Sequence, residues 1–120
     1  MNLLECMDRA NELRPNDIRE ELKAQWVNVL EGDVANLMGV DAPADPFPED
    51  GELLLPHPWS YCYVYYLCAM IDWAQKDFDI YYVDYEMFNS LWAQMAAWWA
   101  KEGKQEAGLE DNKRLIWKVM

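Results

Sequence analysis

The stretch from Asp77 to Lys101, DFDIYYVDYEMFNSLWAQMAAWWAK, decides how this chain folds. Apolar side chains recur along it at alternating intervals of three and four residues, as one face of a helix requires: Phe78, Tyr81, Tyr85, Phe88, Trp92, Met95 and Trp99. Three more residues widen that face: Tyr82, Leu91 and Trp98. Polar residues are expected on the opposite side: Asp79, Asp84, Glu86, Asn89 and Gln94. We therefore predict a long helix over residues 77–101 with a buried aromatic face.

The preceding segment supplies the cover that so many aromatic rings need in water. Residues 58–75, PWSYCYVYYLCAMIDWAQ, open with a proline suited to a first helical turn and carry no charge from Tyr61 to Ile71. Only Lys76 and Asp77 are left for a turn. Residues 58–101 therefore predict an antiparallel helical hairpin on which the rest of the chain packs.

Two shorter helices are predicted before the hairpin. Apolar residues at helical spacing indicate the first, over residues 2–13: Leu3, Leu4, Met7, Ala10 and Leu13. The second, over residues 17–38, is expected to be capped by Asn16 or Asp17 with Glu20, and to end at Gly39. Its core face is expected to hold Ile18, Leu22, Trp26, Val29 or Leu30, Asp33 or Val34, and Leu37.

Two segments are predicted to lack regular helix. Residues 40–58 hold five prolines and five acids without Lys or Arg, so they predict a loop with a short extended piece at Leu53–Leu55. Such a loop is either mobile or ordered by a partner. Residues 102–120, loosened by two glycines, form a C-terminal arm that either covers this chain's own core or inserts into another subunit, and residues 101–120 carry a net charge of +1.

The predicted fold class is all-α: one helical domain over residues 1–101, a small bundle built on the long hairpin, followed by the arm. Net charge is −12, which disfavours nonspecific binding to nucleic acid or anionic membranes. The hydrophobic fraction is 52%, with seven Trp and seven Tyr. This much apolar surface suggests burial between subunits, and a Trp-dense monomeric core is the alternative.

The sequence offers no evident catalytic chemistry. Its cysteines, Cys6, Cys62 and Cys68, lack metal or disulfide spacing and are expected to be reduced, buried hydrophobes. The single histidine, His57, lies between two prolines and is expected to be structural or solvated. We predict no cofactor and no metal, no membrane span because the uncharged run is too short, and a binding or structural protein rather than an enzyme.

Two stretches together resemble a known family: RANELRPNDIREELKAQWVNVLEG at residues 9–32, and LLPHPWSYCYVYYLCAMIDWAQKDFDIYYVDYEMFNSLWAQMAAWW at residues 54–99. The resemblance lies in a capped helix after a Pro-Asn turn, a Pro-rich loop and an aromatic hairpin marked by Ala69, Ile71, Asp72, Tyr82, Phe88 and Asn89. This order is similar to that of the small helical head–tail connector proteins of tailed bacteriophages and prophages, also called adaptor or head-completion proteins.

The resemblance implies a structural virion protein made in the bacterial host cytoplasm. Identical subunits form a ring, commonly a dodecamer, between the portal and the tail or neck proteins, and DNA passes through it without specific binding. Candidate contacts with subunits or partners are Trp59, Tyr63, Tyr66, Trp98, Leu115, Ile116, Trp117 and Met120. Candidate acids lining the channel are Asp41, Asp45, Glu49, Asp50 and Glu52, with the acids of the long helix as the alternative lining.

A second function class also fits the charge: an acidic host-takeover or DNA-mimic inhibitor that covers a basic surface as a monomer or dimer. DNA mimicry calls for regularly spaced exposed acids, whereas the acids here cluster in loops and at helix ends. A third possibility is a binder of small molecules with a pocket in the aromatic hairpin.

Overall fold

The computed structural model describes residues 1–107 and confirms an all-α fold. Its helices are α1 (Leu3–Leu13), α2 (Glu20–Met38), α3 (Tyr61–Ala74) and α4 (Phe78–Trp98), followed by a π-helical turn (Trp99–Gly103) and a short α5 (Lys104–Ala107). Within residues 1–107 the β pairing is limited to an isolated antiparallel bridge between Asn2 and Glu52. The four arm residues singled out above, Leu115, Ile116, Trp117 and Met120, lie outside the described residues.

Helices α3 and α4 form the predicted antiparallel hairpin, because Trp59, just before α3, meets Trp98 at the end of α4, whereas Trp73 meets Phe78 beside the turn. Two hydrogen bonds close α3: the Lys76 amide donates to the Trp73 carbonyl (3.0 Å) and the Asp77 amide to the Asp72 carbonyl (2.9 Å). These two bonds form a Schellman motif, which requires a left-handed backbone just after the helix, and Lys76 has one with φ 59°. The hairpin therefore turns within three residues.

The ends of the first two helices agree only in part with the predicted caps. The capping box belongs to α1: the Asn2 side chain accepts from the Glu5 amide, and the Glu5 carboxylate accepts from the Asn2 amide. Helix α2 begins at Glu20 without a side-chain cap, so the predicted cap at Asn16 or Asp17 was wrong. Its end is as predicted, because Gly39 takes the left-handed conformation, φ 71°, that terminates a helix.

The buried face of α2 is rotated from the predicted one. It consists of Lys23, Val27, Leu30, Glu31, Val34, Ala35 and Met38. Of the residues expected there, Leu30 and Val34 are buried as one of the predicted alternatives had them, Leu22 and Trp26 are half-buried, and Val29, Asp33 and Leu37 are exposed. Apolar periodicity misplaced this face because two of its buried positions hold charged residues whose polar atoms find partners inside the protein.

One such residue is Lys23, which is buried where α1 and α2 meet. Its ammonium donates to Asn11 Oδ1 (2.8 Å) and Asn16 Oδ1 (3.0 Å), and pairs with Glu20 (3.1 Å). Asn16 also accepts from the Ile18 amide (3.0 Å), so its side chain shapes the α1–α2 connection instead of capping α2. A buried lysine is tolerated when its donors are satisfied in this way.

The Pro-rich loop between α2 and α3 is held by hydrogen bonds to α1 and α2 of the same chain. Its carbonyls at Glu49 and Gly51 accept from the Leu4 and Leu3 amides at the start of α1 (3.0 and 3.2 Å). The Asn28 side chain donates to the Ala44 carbonyl (3.1 Å). These bonds use helix-start amides that lack partners within the helix, so the loop serves as the cap of α1.

Helical structure continues past residue 101, where the arm was predicted to begin. A Cβ placed on Gly103 would lie 2.6 Å from the Trp99 ring and 3.0 Å from the Trp98 ring. Gly103 therefore lets both tryptophans pack against the backbone and does not loosen the chain. None of the helices within residues 1–107 is long and apolar enough to cross a membrane.

Candidate interaction surface

A buried ionic cluster fixes the rotation of α4. Arg14, just after α1, donates from Nε and Nη2 to the two carboxylate oxygens of Asp84, both at 2.9 Å. Its Nε also lies 3.3 Å from the carboxylate of Asp72 on α3. Asp84 was predicted on the solvent side of α4, and this was wrong because a bidentate arginine compensates its charge inside the protein.

The cluster holds two carboxyl groups and one guanidinium, so full ionisation leaves one buried negative charge without a counterion. Burial first, and then the adjacent Asp84, raise the pKa of Asp72 to about 7, although Arg14 acts in the opposite direction. Asp72 is only 1% exposed. Asp72 therefore holds a proton below about pH 7, which removes the uncompensated charge, and its buried Oδ2 has no hydrogen-bond partner within residues 1–107.

We predict that Asp72→Asn stabilises the protein at alkaline pH. The folded-state pKa of about 7 exceeds the ordinary value of 3.8. Between these values the folded state binds more protons than the unfolded state, so this group's contribution to stability falls as pH rises through that window. The amide mimics the protonated acid and does not titrate. As pH rises from about 5 to about 8, the free energy of unfolding of the variant should therefore increase relative to that of the wild type by about 1–3 kcal/mol.

Urea unfolding of both proteins across this pH range measures the difference between their free energies of unfolding. The titration of all other groups is common to both proteins and cancels in that difference. A loss of stability that is the same at acidic and alkaline pH would contradict the protonation of Asp72.

A second buried polar network contains Tyr63, which was predicted to contact a subunit or partner. Tyr63 is fully buried and its hydroxyl donates to Glu31 on α2 (2.5 Å) while accepting from the Leu55 amide (3.0 Å). The other Glu31 oxygen accepts from the Leu54 amide (2.7 Å). Burial and then the Glu31 charge raise the pKa of Tyr63 well above 10. Tyr63 therefore joins α2, α3 and the loop, and its ring is unavailable to a partner.

Fixing Asp84 inward turns the neighbouring aromatic side chains outward, because residues one or two positions apart on a helix point in different directions. Five rings form a continuous exposed or half-buried patch around the hairpin turn, which we call the aromatic surface: Trp73, Phe78, Tyr81, Tyr82 and Tyr85. Tyr81 contacts three of them, with centroid distances of 5.3 Å to Trp73, 5.4 Å to Tyr82 and 5.5 Å to Tyr85. Four of these residues, all except Trp73, were predicted on the buried face of the helix.

The other flank of the same helix half is also apolar. Ile80, Val83 and Met87 are spaced three and four residues apart and are all exposed, Val83 by 59%. Tyr82, between the two flanks, is 67% exposed. The first half of α4 is therefore apolar around most of its circumference, yet within residues 1–107 only the side bearing Asp84 and Phe88 is covered.

The remaining aromatic candidates are half-buried and lie on the other parts of the hairpin. Trp59 and Trp98 contact each other with centroids 5.7 Å apart, which joins the start of α3 to the end of α4. Tyr66 packs on Phe88 at 5.3 Å. Both contacts stabilise the hairpin, and contact of these half-buried rings with a partner stays a prediction.

The five loop acids proposed to line a channel are all exposed: Asp41, Asp45, Glu49, Asp50 and Glu52. They do not form one surface. Glu52 accepts from the N-terminal amino group (3.1 Å). Asp45 and Glu49 lie along an open cavity of about 480 Å³ between the loop, α1 and the first turns of α2, which we call the acidic groove.

Cysteine and histidine often serve as nucleophiles or metal ligands, and the chain holds three cysteines and one histidine. All three cysteines are buried and reduced, and burial is the main cause that raises their thiol pKa values to about 12. His57 is exposed and contacts Tyr61 edge-on at 5.8 Å. The described residues contain no group of three His, Cys, Asp or Glu side chains that could hold a metal ion.

In comparisons with known proteins, no protein-family model, no curated protein and no solved structure matches this chain.

Proposed function

We propose that this protein is a structural assembly protein that acts by binding copies of itself, and more particularly that it is a head–tail connector of a tailed bacteriophage. In this proposal identical subunits form a ring in the virion between the portal and the tail or neck proteins. DNA passes through the ring without specific contacts.

One observation carries the proposal: the half-covered first part of α4. A helix that is apolar on all sides is typical of one that is covered on all sides. Here the aromatic surface and the flank of Ile80, Val83 and Met87 are left open by the described residues. Large exposed apolar patches on small proteins mark sites of protein association, and aromatic residues dominate the energetics of such sites. A second subunit supplies the missing cover.

The charge of the loop supports the channel assignment. Asp41 and Asp50 are exposed, and within residues 1–107 neither forms an ion pair. A wall of unpaired acids repels the phosphate backbone and lets DNA slide without adhering. In a ring, the loop of each subunit adds such acids to the channel.

We predict that Tyr82→Glu and Val83→Glu, one on each side of the exposed helix half, each weaken association at least about tenfold, because each places a charge in a desolvated contact. The measurement is light scattering after size-exclusion chromatography of the full chain, alone and mixed with the portal protein encoded by the same genome. Because both side chains are largely exposed, stability should change by no more than about 0.5 kcal/mol.

Ala97→Glu is the matched control, since Ala97 is exposed on the same helix but in its second half, away from the two apolar flanks. It should assemble like the wild type. If Tyr82→Glu and Val83→Glu also assemble like the wild type, the apolar part of α4 is not the assembly surface. If the wild-type chain remains a monomer even with portal present, the acidic inhibitor becomes the better proposal.

A further inference from the structure

The acidic groove has the chemistry of a binding site for a basic and apolar peptide. Its floor is apolar, formed by Leu3, Met7, Ala24 and Phe47. Its rim carries four acids, Glu20, Glu21, Asp45 and Glu49, and none of the residues that line it is Lys or Arg. A volume of about 480 Å³ is within the range of cavities that enclose ligands, and is enough for a few side chains.

The rim acids lack compensation within the described chain. Glu20 pairs with Lys23, but within residues 1–107 Glu21, Asp45 and Glu49 form no ion pair. Asn28, which also lines the groove, donates through Nδ2 to the Ala44 carbonyl, whereas its buried Oδ1 has no hydrogen-bond partner there. Three carboxylates and one free acceptor call for an occupant that brings positive charge and N–H donors.

The sequence after the described residues has that composition. Residues 109–120 read LEDNKRLIWKVM: Glu110 and Asp111 come first, and Lys113, Arg114 and Lys118 then flank the apolar run Leu115, Ile116 and Trp117. The basic residues match the rim and the apolar run matches the floor. Thirteen residues follow Ala107, and an extended chain of that number spans up to about 45 Å. This reach equals the longest dimension of the described domain, 45 Å, and is enough to reach a neighbouring molecule.

We propose that the acidic groove is the docking site for residues 109–120 of a second copy of this chain. The inference rests on the proposed function, because it supplies the contact by which one subunit holds the next. Each copy offers one groove and one arm, so the contact joins two different surfaces. Contacts of this kind produce a ring when the rotation between neighbours closes, and a filament when it does not.

The test uses two full-length variants with reversed charges. The groove variant is Asp45→Lys with Glu49→Lys, and the arm variant is Lys113→Glu with Arg114→Glu. Self-association of each variant alone should weaken at least about tenfold relative to the wild type, since like charges then face each other. An equal mixture should recover association to within about threefold of the wild type, because the unchanged arm of one variant fits the unchanged groove of the other.

Sedimentation velocity and native mass spectrometry measure these affinities and the composition of the mixed complex. The matched control is Asp8→Lys with Glu12→Lys, which makes the same charge change at two exposed acids of α1 outside the groove and should associate like the wild type. Melting temperatures of all variants identify any that fail to fold, and the arm variant alters no residue of the described core.

Three outcomes overturn the inference: a groove variant that associates like the wild type, a mixture that associates no better than its components, or a wild-type chain that is monomeric at every concentration tested. A monomeric wild-type chain is also the result expected if the arm docks in the groove of its own chain. These outcomes differ from a failure of the proposed function, because Tyr82→Glu and Val83→Glu can abolish portal binding whether or not the arm occupies the groove.

Discussion

Arg14→Leu is expected to lower the free energy of unfolding by about 3 kcal/mol at neutral pH, because it leaves Asp72 and Asp84 buried without a cation. Asp84 accepts two hydrogen bonds of 2.9 Å from the guanidinium, and its side chain is only 6% exposed. Leucine fills part of the space but compensates neither charge. The loss should be smaller near pH 5 than near pH 8, because removing Arg14 raises the pKa of Asp72 further and a protonated Asp72 has no charge to compensate.

Urea unfolding at several pH values measures this effect, with Arg9→Leu as the matched control. Arg9 lies on the same helix but is exposed, and donates to the Tyr61 hydroxyl at 2.7 Å. Its replacement should cost less than about 1 kcal/mol. Adding Asp84→Asn to Arg14→Leu should recover part of the loss. A loss for Arg14→Leu that equals the control, or that does not depend on pH, would mean that the cluster does not carry buried charge.

Glu31→Leu is expected to cost about 3 kcal/mol, since it leaves two buried donors, the Leu54 amide and the Tyr63 hydroxyl, without their acceptor. Tyr63→Phe should cost about 1–2 kcal/mol because the Leu55 amide then loses its partner. The double variant should cost less than the sum of the two, because both residues belong to one network.

Chemical denaturation gives these free energies, and hydrogen exchange at Leu54 and Leu55 reports whether the loop detaches first. Glu21→Leu serves as the control because it makes the same change at an exposed position of the same helix, and it should alter stability by no more than about 0.5 kcal/mol. Equal losses for Glu31→Leu and Glu21→Leu, with unchanged exchange at the loop amides, would rule out an anchoring role for Glu31.

The positions of the helices could be predicted because the signals that set them are local. The spacing of apolar residues, the prolines of residues 43–58 and Gly39 act within a few positions of where they stand. The hairpin followed from two apolar segments with almost no chain between them. The capping box at Asn2 was missed although Glu5 stands three residues after it, which is a signal that the sequence does contain.

The candidate surface could not be predicted, because it depends on which side of α4 is buried. Periodicity placed Tyr81 and Tyr85 inside and Asp84 outside, on the rule that apolar side chains seek the core. In the structure Asp84 is buried, Tyr85 is exposed and Tyr81 is half-buried. Arg14, 70 positions away in sequence, holds Asp84 inside, and the rings around it are left on the surface.

The sequence by itself determined an acidic all-α protein with a tight aromatic hairpin and a non-helical Pro-rich loop. Only the tertiary structure decided which faces are covered and which remain for a partner. The physical reason is that a charged residue is buried only where a partner compensates it, and here that partner is distant in sequence. Tyr63 is such a partner for Glu31, and Arg14 for Asp84. Hydrophobic spacing along one helix contains no information about such partners.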